Sequence, residues 1–136
     1  MKRYIIELPP ALESLRIAAP FTAGVLQETP DLPDRDRLIH DLELVSSEAL
    51  TNAIRHGARG EVPISLGYSL DANGITITVT DHGSGFDPEA VALPEFDQLP
   101  EGGYGVYIMK SIMDDVRYEK SPAGNTLILT KAWQSR

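Results

Sequence analysis

Cysteine is absent from all 136 residues, so the chain can form neither a disulfide nor a thiolate metal site. No apolar run is long enough to span a bilayer, and the apolar stretch in the opening segment MKRYIIELPP is too short for a signal peptide. These absences predict a cytoplasmic protein that has no membrane-spanning segment.

Positive charge is also scarce. Twelve Lys and Arg residues stand against twenty Asp and Glu residues, which gives a formal net charge of -8. A field of this sign repels nucleic acid and anionic membrane surfaces, so we expect neither as a direct partner. A ligand that carries phosphate would need a metal ion or backbone N–H groups to hold it.

The composition is that of an ordinary folded domain. Hydrophobic residues make up 42% of the chain and charged residues 24%, far from the composition of a disordered segment. The length suits one core, and the chain contains no internal repeat. We therefore expect a single domain over residues 1–136.

The first half of the sequence predicts one strand and two helices. Residues 3–8 form a predicted edge strand that Pro9 and Pro10 end. Apolar spacing predicts a helix over 11–28, which Pro20 must kink or restart. A longer helix is predicted over 38–54, with Asp34 or Asp36 as its cap and Gly57 at its end.

The second half predicts two hairpins and one short helix. Strands over 63–70 and 75–80 are joined through 71–74, and strands over 116–120 and 126–131 through 121–125. A helix is predicted over 106–113, after a mobile loop at 88–101. The order indicates an α+β fold, a two-layer sandwich whose mixed, mainly antiparallel sheet is covered on one face by helices.

A polar row lies along the long predicted helix. Glu48, Asn52 and His56 follow one another at intervals of four, so their side chains share one face. A carboxylate can act as a general base, and an amide oxygen is a hard ligand that suits Mg²⁺. The alternative is a solvated stripe with ordinary hydrogen bonds between neighbouring turns.

The segment DHGSGF follows the strand predicted over 75–80. Asp81 has an acceptor-only side chain that can bind an exocyclic amine, and Gly83 and Gly85 let a ligand approach the backbone closely. The alternative is a glycine-rich turn in which Asp81 accepts hydrogen bonds from nearby backbone N–H groups.

A second glycine-rich segment, EGGYG at 101–105, precedes the short predicted helix. Glycines at a helix N-terminus expose N–H donors at the positive end of the helix dipole, which favours phosphate binding. The alternative is a flexible entry into the helix.

These three segments, in this order, resemble the N, G1 and G2 boxes of the ATPase superfamily (GHKL) that contains gyrase, the ninety-kilodalton chaperones, histidine kinases and mismatch-repair proteins. Within it, SEALTNAIRHG, VTDHGSGFDP, GGYGVYIMKSIMDDVRYEK and GNTLILTK are most similar to the small bacterial anti-sigma serine kinases, over about 38–131. The resemblance implies a Bergerat-type ATP-binding fold. Its N box would lie at about 45–57, its G1 box at 80–88, its lid at 88–101 and its G2 box at 101–110.

The resemblance also implies roles for individual residues. Glu48 would be the catalytic base, Asn52 the Mg²⁺ ligand, and Asp81 the contact to the adenine amino group. The late threonine that the family places near adenine matches Thr126. The implied set that binds ATP and Mg²⁺ is Asn52, Asp81, Gly83, Gly85, Phe86, Gly102, Gly103, Gly105, Val106 and Thr126. For His56, a packed structural role is favoured over catalysis.

The implied function is that of an anti-sigma serine/threonine kinase. Such a kinase phosphorylates an anti-anti-sigma regulator of the STAS type, sequesters a sigma factor, and can form a homodimer. The lid at 88–101 departs from the wider superfamily because it contains no Lys or Arg to meet the terminal phosphate. A catalytically weak, ATP-dependent binding module is therefore an alternative function.

Two further alternatives are disfavoured. The catalytic domain of a histidine kinase system would work with a helical hairpin that carries a phosphoacceptor histidine, and neither His40 nor His82 has such a setting. A motor like gyrase needs additional domains and a surface that attracts DNA, which this acidic chain does not provide.

Overall fold

The computed structural model describes residues 1–57, 60–83 and 103–134, and these residues contain one five-stranded sheet. The strands are β1 Lys2–Leu8, β2 Ile64–Leu70, β3 Gly74–Asp81, β4 Asp115–Ser121 and β5 Gly124–Ala132. Their order across the sheet is β1-β2-β3-β5-β4, and all four pairings are antiparallel. The predicted edge position of the first strand and the mainly antiparallel sheet are confirmed.

The helical layer consists of α1 Leu15–Gln27, α2 Arg35–Asn52 and α3 Gly103–Ile112. A 3-10 turn at Leu12–Ser14 precedes α1, and a π-helical turn at Ala53–Gly57 continues α2. Apolar residues alternate along β3, so every second side chain is buried. The core lies between this face of the sheet and the helices, which confirms the predicted two-layer α+β sandwich.

The first helix differs from its prediction in two ways. It begins at Leu15 rather than at residue 11, and it continues through Pro20 without interruption. Proline has no N–H to donate to the carbonyl of Arg16, but both residues are exposed, so water can bond that carbonyl. The helix is stabilised by packing of its buried residues against α2 and the sheet, which outweighs this local cost.

The long helix begins as predicted near Asp34 but without the expected capping bond. Asp34 occupies the N-cap position with a left-handed backbone (φ 50°), and its side chain makes no capping hydrogen bond. Asp36 lies in the first turn, where its negative charge interacts favourably with the helix dipole. At the other end, the π-helical turn ends at Gly57, the predicted stop.

A hydrogen-bonded polar cluster lies in the core between α1, α2 and β2. The hydroxyl of Tyr68, which is 1% exposed, bonds Thr22 Oγ1 and lies 3.0 Å from Ser46 Oγ. Thr22 also donates to the Ala18 carbonyl at 2.9 Å. Burial raises the pKa of Tyr68 above its ordinary value of 10.0, while the bonds from Ser46 and Thr22 act in the opposite direction. This cluster is buried but satisfied.

The hairpin between β2 and β3 turns as the sequence predicts. Asp71 Oδ1 accepts hydrogen bonds from the N–H groups of Asn73 (2.7 Å) and Gly74 (3.1 Å). A Cβ at Gly74 would collide with the backbone carbonyl of Lys131 on β5, so only glycine fits at this position. The turn therefore sets the register in which β3 enters the middle of the sheet.

Candidate functional site

The C-terminal half of α2 meets the first turn of α3. A Cβ built on Gly105 would lie 2.6 Å from Glu48 Oε2 and 3.5 Å from Asn52 Nδ2. The absence of a side chain at Gly105 therefore allows the two helices to approach closely here. The N-box residues Glu48 and Asn52 and the G2-box residue Gly105 are brought together, although more than fifty positions separate them in the sequence.

Asn52 is a buried amide with an unsatisfied group. Its side chain is 4% exposed, and Nδ2 is the one buried side-chain nitrogen or oxygen without a hydrogen-bond partner among the described residues. Leaving such a group unpaired costs about 1–3 kcal/mol. Rotating the amide by half a turn would present its oxygen at the same place. The alternative of a solvated stripe is excluded at Asn52, because this residue is buried.

The other members of the polar row lie in different environments. Glu48 is partly buried beside Gly105, whereas His56 is exposed on the π-helical turn. Turns of this kind interrupt an α-helix and are frequent at functional sites.

The beginning of α3 supplies backbone donors. The helix starts at Gly103, so the N–H groups of its first turn have no partner inside the helix. Because Gly105 lies in this turn, the positive end of the helix dipole is close to the Glu48 and Asn52 side chains. The side chain of Val106 is 2% exposed and packs in the core, so it is not available to contact a ligand.

Asp81 is the last residue of β3 and is 4% exposed. Its Oδ1 accepts hydrogen bonds from the Gly83 N–H at 3.1 Å and from Asn125 Nδ2 at 3.0 Å. The bond from Gly83 is the local one that a simple turn predicts. The bond from Asn125 is not local and fixes the carboxylate from the neighbouring strand.

Asn125 is a site residue that the sequence reasoning missed. Its side chain is buried, and Nδ2 also donates to the Gly83 carbonyl at 2.8 Å. The register pairs Asn125 with Asp81 and Thr126 with Thr80. Its signal in the sequence was its position directly before Thr126, at the start of a strand predicted to face the same site.

The structure does not bring Thr126 together with Asp81. Successive residues of a strand point to opposite faces, so Thr126 lies on the face of the sheet away from the helices. There its Oγ1 is 3.1 Å from Thr80 Oγ1. The predicted contact of Thr126 with adenine therefore gains no support from this arrangement.

Several predicted site residues lie outside the described residues. These are Gly85, Phe86 and Gly102, together with the whole lid at 88–101 and the rest of the G1 box after Gly83. Gly103 is described as the first residue of α3.

The chemistry of the described residues fits a nucleoside triphosphate bound together with Mg²⁺. An amide such as that of Asn52 offers an oxygen ligand of the kind that Mg²⁺ accepts, and Mg²⁺ commonly completes its coordination with water and substrate phosphates. The described residues contain no group of three or more His, Asp or Glu side chains that could hold a metal ion by themselves. In the same part of the chain, no helix is both long and apolar enough to cross a membrane.

Comparison with known families gives one match that extends over most of the chain. The model of the histidine kinase-like ATPase domain matches residues 8–131. This range contains Glu48, Asn52, Asp81 and Gly105, the described residues on which the site depends.

Curated relatives are serine-protein kinases. The chain is 36% identical over 105 residues to the serine-protein kinase RsbW of Bacillus subtilis (strain 168), a match that covers 68% of this chain and 64% of the relative. It is 29% identical over 136 residues to RsbW of Bacillus cereus (strain AH187), covering 93% of this chain and 82% of the relative. The first match thus spans less than two thirds of that relative's length.

Solved structures show the same fold at low sequence identity. The histidine kinase domain of the Erythrobacter litoralis EL346 blue-light activated histidine kinase matches with a TM-score of 0.56 and 20% identity, covering 90% of this chain and 60% of that one. The Acinetobacter baumannii histidine kinase AdeS matches with a TM-score of 0.55 and 16% identity, covering 99% and 70%. From the family match and the shared fold, this chain belongs to the histidine kinase-like ATPase domain family.

Proposed function

We propose that this chain is an ATP- and Mg²⁺-dependent serine/threonine protein kinase of the anti-sigma type. The observation that carries the proposal is the buried amide of Asn52, whose Nδ2 has no hydrogen-bond partner among the described residues and lies close to Gly105 of α3 and Glu48. Buried polar groups in folded proteins normally have hydrogen-bond partners. A bound ligand that supplies the missing partner would explain why this domain of the histidine kinase-like ATPase family retains the group.

The nucleotide would lie between the end of β3 and the start of α3. Asp81, held in place by Asn125, would accept a hydrogen bond from the adenine amino group. The N–H groups at the start of α3 would donate to phosphate oxygens, and the Asn52 amide oxygen would ligate Mg²⁺. The metal ion, when bound, neutralises charge on the phosphates.

Glu48 would serve as the general base. Its carboxylate would accept the proton of a serine or threonine hydroxyl on the protein substrate while the hydroxyl oxygen bonds to the γ-phosphorus. The bond between that phosphorus and the oxygen bridging to the β-phosphate breaks, and ADP leaves with the electron pair. Gly105 would keep Glu48 in position, because any side chain there would displace the carboxylate.

The proposed substrate is an anti-anti-sigma regulator of the STAS type, and the proposed second partner is a sigma factor. Support comes from the curated relatives, which are named serine-protein kinases. Phosphate added to the regulator would weaken its interface with this chain by adding charge, and the free kinase would then bind the sigma factor.

Transfer of labelled phosphate tests this proposal. The chain is incubated with γ-labelled ATP, Mg²⁺ and its candidate regulator, in parallel with Glu48→Gln and with Glu43→Gln, a matched control on the same helix. We expect label on a regulator serine or threonine, a loss of about 10²–10⁴-fold in rate for Glu48→Gln, and little change for Glu43→Gln. ATP binding with no transfer to any candidate regulator would contradict the kinase function.

A binding module without catalysis is the second candidate, and one observation favours it. Residues 88–101 contain Glu89, Glu95, Asp97 and Glu101 but no Lys or Arg, so this segment offers no cation to the transferring phosphate. In that case ATP would control partner affinity alone. Partner capture that depends on ATP and is unaffected by Glu48→Gln would favour the module over the kinase.

We further propose that residues 1–136 form one cytoplasmic domain that can pair with a second copy of itself. The exposed large hydrophobic residues include Ile5, Leu12 and Ile17, which all belong to β1 or to the segment around the start of α1. Sedimentation tests the pairing, and a monomer at every concentration would exclude it.

A further inference from the structure

A second concave surface lies at the opposite end of the sheet from Asp81. Three neighbouring clefts of about 710, 450 and 330 Å³ are all lined by Trp133, which follows β5. We call this the Trp133 surface and define it by Trp133 with the lining carboxylates Asp31, Asp34, Asp41, Asp71 and Asp114. None of these residues belongs to the proposed nucleotide site.

Trp133 is held in a fixed position by the turn between β2 and β3. Its backbone N–H donates to the Asn73 carbonyl at 2.9 Å, and its indole Nε1 donates to the Asp71 carbonyl at 3.0 Å. The ring is partly exposed and also packs against the core. An aromatic ring fixed in this way can bind a partner at a low cost in conformational entropy.

The charge around Trp133 is negative and only partly compensated. Five carboxylates line the three clefts, against the side chains of Arg37 and Lys131 and the first residue, Met1. Lys131 keeps its charge while its Nζ donates to the Ile112 carbonyl at 2.9 Å, and Arg37 lies 3.9 Å from Asp41, so the five carboxylates still outnumber the three cationic groups. Of the carboxylates, Asp71 and Asp114 accept hydrogen bonds from backbone N–H groups and keep their charge. The clefts therefore present an excess of negative charge around an indole.

We propose that the Trp133 surface is a docking site for a cationic, arginine-containing segment of a partner protein. A guanidinium group stacks on an indole face and can at the same time form bidentate bonds to a carboxylate, a combination that an ammonium group makes less well. The surrounding carboxylates attract such a segment over a longer range and favour a segment with positive charge.

The position of the surface keeps it separate from the proposed chemistry. Asp34 and Arg37 lie at the start of α2, whereas Glu48 and Asn52 lie near its end, and an 18-residue helix is about 27 Å long. A partner bound at the Trp133 surface would leave the other end of the sheet open. The proposal does not depend on nucleotide binding and can fail or succeed by itself.

Intrinsic fluorescence tests the proposal directly, because Trp133 is the only tryptophan in the chain. The probe is a blocked heptapeptide of alternating glycine and arginine, compared with versions that contain lysine or uncharged citrulline. We expect a saturable change in Trp133 emission with the arginine peptide, binding several-fold weaker with lysine, and no saturable change with citrulline. The response should weaken as salt is raised.

Charge variants locate the binding. Asp31→Asn with Asp34→Asn removes two carboxylates, and asparagine tolerates the left-handed backbone at both positions (φ 60° and 50°). The matched control is Glu13→Gln with Glu119→Gln, which removes the same charge from exposed positions outside the clefts. We expect the first pair of substitutions to lower the affinity for the arginine peptide about tenfold, and the control pair to change this affinity less than twofold.

Three results would overturn the proposal. The first is an emission change of equal size with the citrulline peptide, and the second is equal weakening by the two charge pairs. The third is a change in Trp133 emission with protein concentration alone, which would mean that a second copy of the chain covers the surface. Unchanged melting temperatures would show that both pairs of variants remain folded.

Discussion

Two buried polar clusters involve the same helix, α2, and they differ in whether their hydrogen bonds are complete. Near its middle, Ser46 joins the Tyr68 hydroxyl and Thr22 in a cluster in which each side chain has a partner. Less than two turns later, Asn52 is also buried, but its Nδ2 has no partner among the residues that the structure describes. Both clusters interrupt an apolar surface, and only the second takes part in the proposed ligand binding.

The difference separates a structural role from a binding role. A satisfied polar cluster in a core contributes to stability and to a unique packing arrangement. An unsatisfied one lowers stability, and the protein retains it when a ligand regains the lost energy. Stability and nucleotide affinity should therefore respond in opposite ways to substitutions in the two clusters, and the following predictions test that contrast.

Among the predictions that test this contrast, the largest effect is expected for Gly105→Ala. The added methyl group would lie 2.6 Å from Glu48 Oε2, so the carboxylate must move away from its position. Because the carboxylate is the end of a flexible side chain, the melting temperature should change little. Displacement of the proposed base should slow phosphoryl transfer by up to about 10²-fold, as single-turnover rates would show. Unchanged transfer would mean that Glu48 is not the base.

Asn52→Leu should weaken binding of ATP with Mg²⁺ by about 30-fold, which is roughly 2 kcal/mol. The leucine has nearly the same size but no polar group to leave unpaired, so the free energy of unfolding without ligand should be equal or higher. Calorimetric titration and urea unfolding measure the two quantities. A large loss of stability would show that the amide has a structural partner. Asn52 would then have the same kind of structural role as the satisfied cluster around Tyr68.

Tyr68→Phe should do the reverse. Loss of the hydroxyl leaves Ser46 without its partner and should lower the free energy of unfolding by about 1–2 kcal/mol, while ATP affinity stays the same. Urea unfolding checks the stability. A drop in ATP affinity of tenfold or more would show that the two clusters are coupled through α2.

The smallest effect concerns alkaline pH. The pKa of Tyr68 is raised in the folded protein, so its contribution to stability is complete below pH 10.0, the ordinary tyrosine value, and is lost as pH rises above it. Unfolding measured from pH 8 to 11 should show a steeper decline above about pH 10 for the wild type than for Tyr68→Phe. Equal slopes would indicate that Tyr68 ionises as easily folded as unfolded.

Much of the fold could be predicted because its signals are local. Alternating apolar residues identify β3, the segment Asp71-Ala72-Asn73-Gly74 identifies its hairpin, and apolar spacing identifies α2. The start of α1 was predicted four residues early, since the 3-10 turn at Leu12–Ser14 shares the same apolar spacing. Continuation through Pro20 depends on tertiary packing, which local sequence does not reveal.

The sequence predicted which residues of the candidate site come together on α2 and at the end of β3, but not all of the contacts between them. The residues on α2 were found because helical spacing aligns them, and Asp81 because it ends a strand. Asn125 was missed because its contact with Asp81 arises from the register between β3 and β5, a relation between residues 44 positions apart. The same register directs Thr126 to the other face, which motif spacing alone could not indicate.

The order of the strands also constrains how the protein is made. β5 is the last described strand in the chain, yet it lies between β3 and β4, and it supplies Asn125 to the carboxylate of Asp81. During synthesis on the ribosome, β1, β2 and β3 would emerge with one long edge of β3 uncovered, and such edges invite aggregation. A nascent chain that stalls before Gly124 would therefore present this edge to chaperones and proteases, and it could not yet form the bond between Asn125 and Asp81 at the proposed nucleotide site.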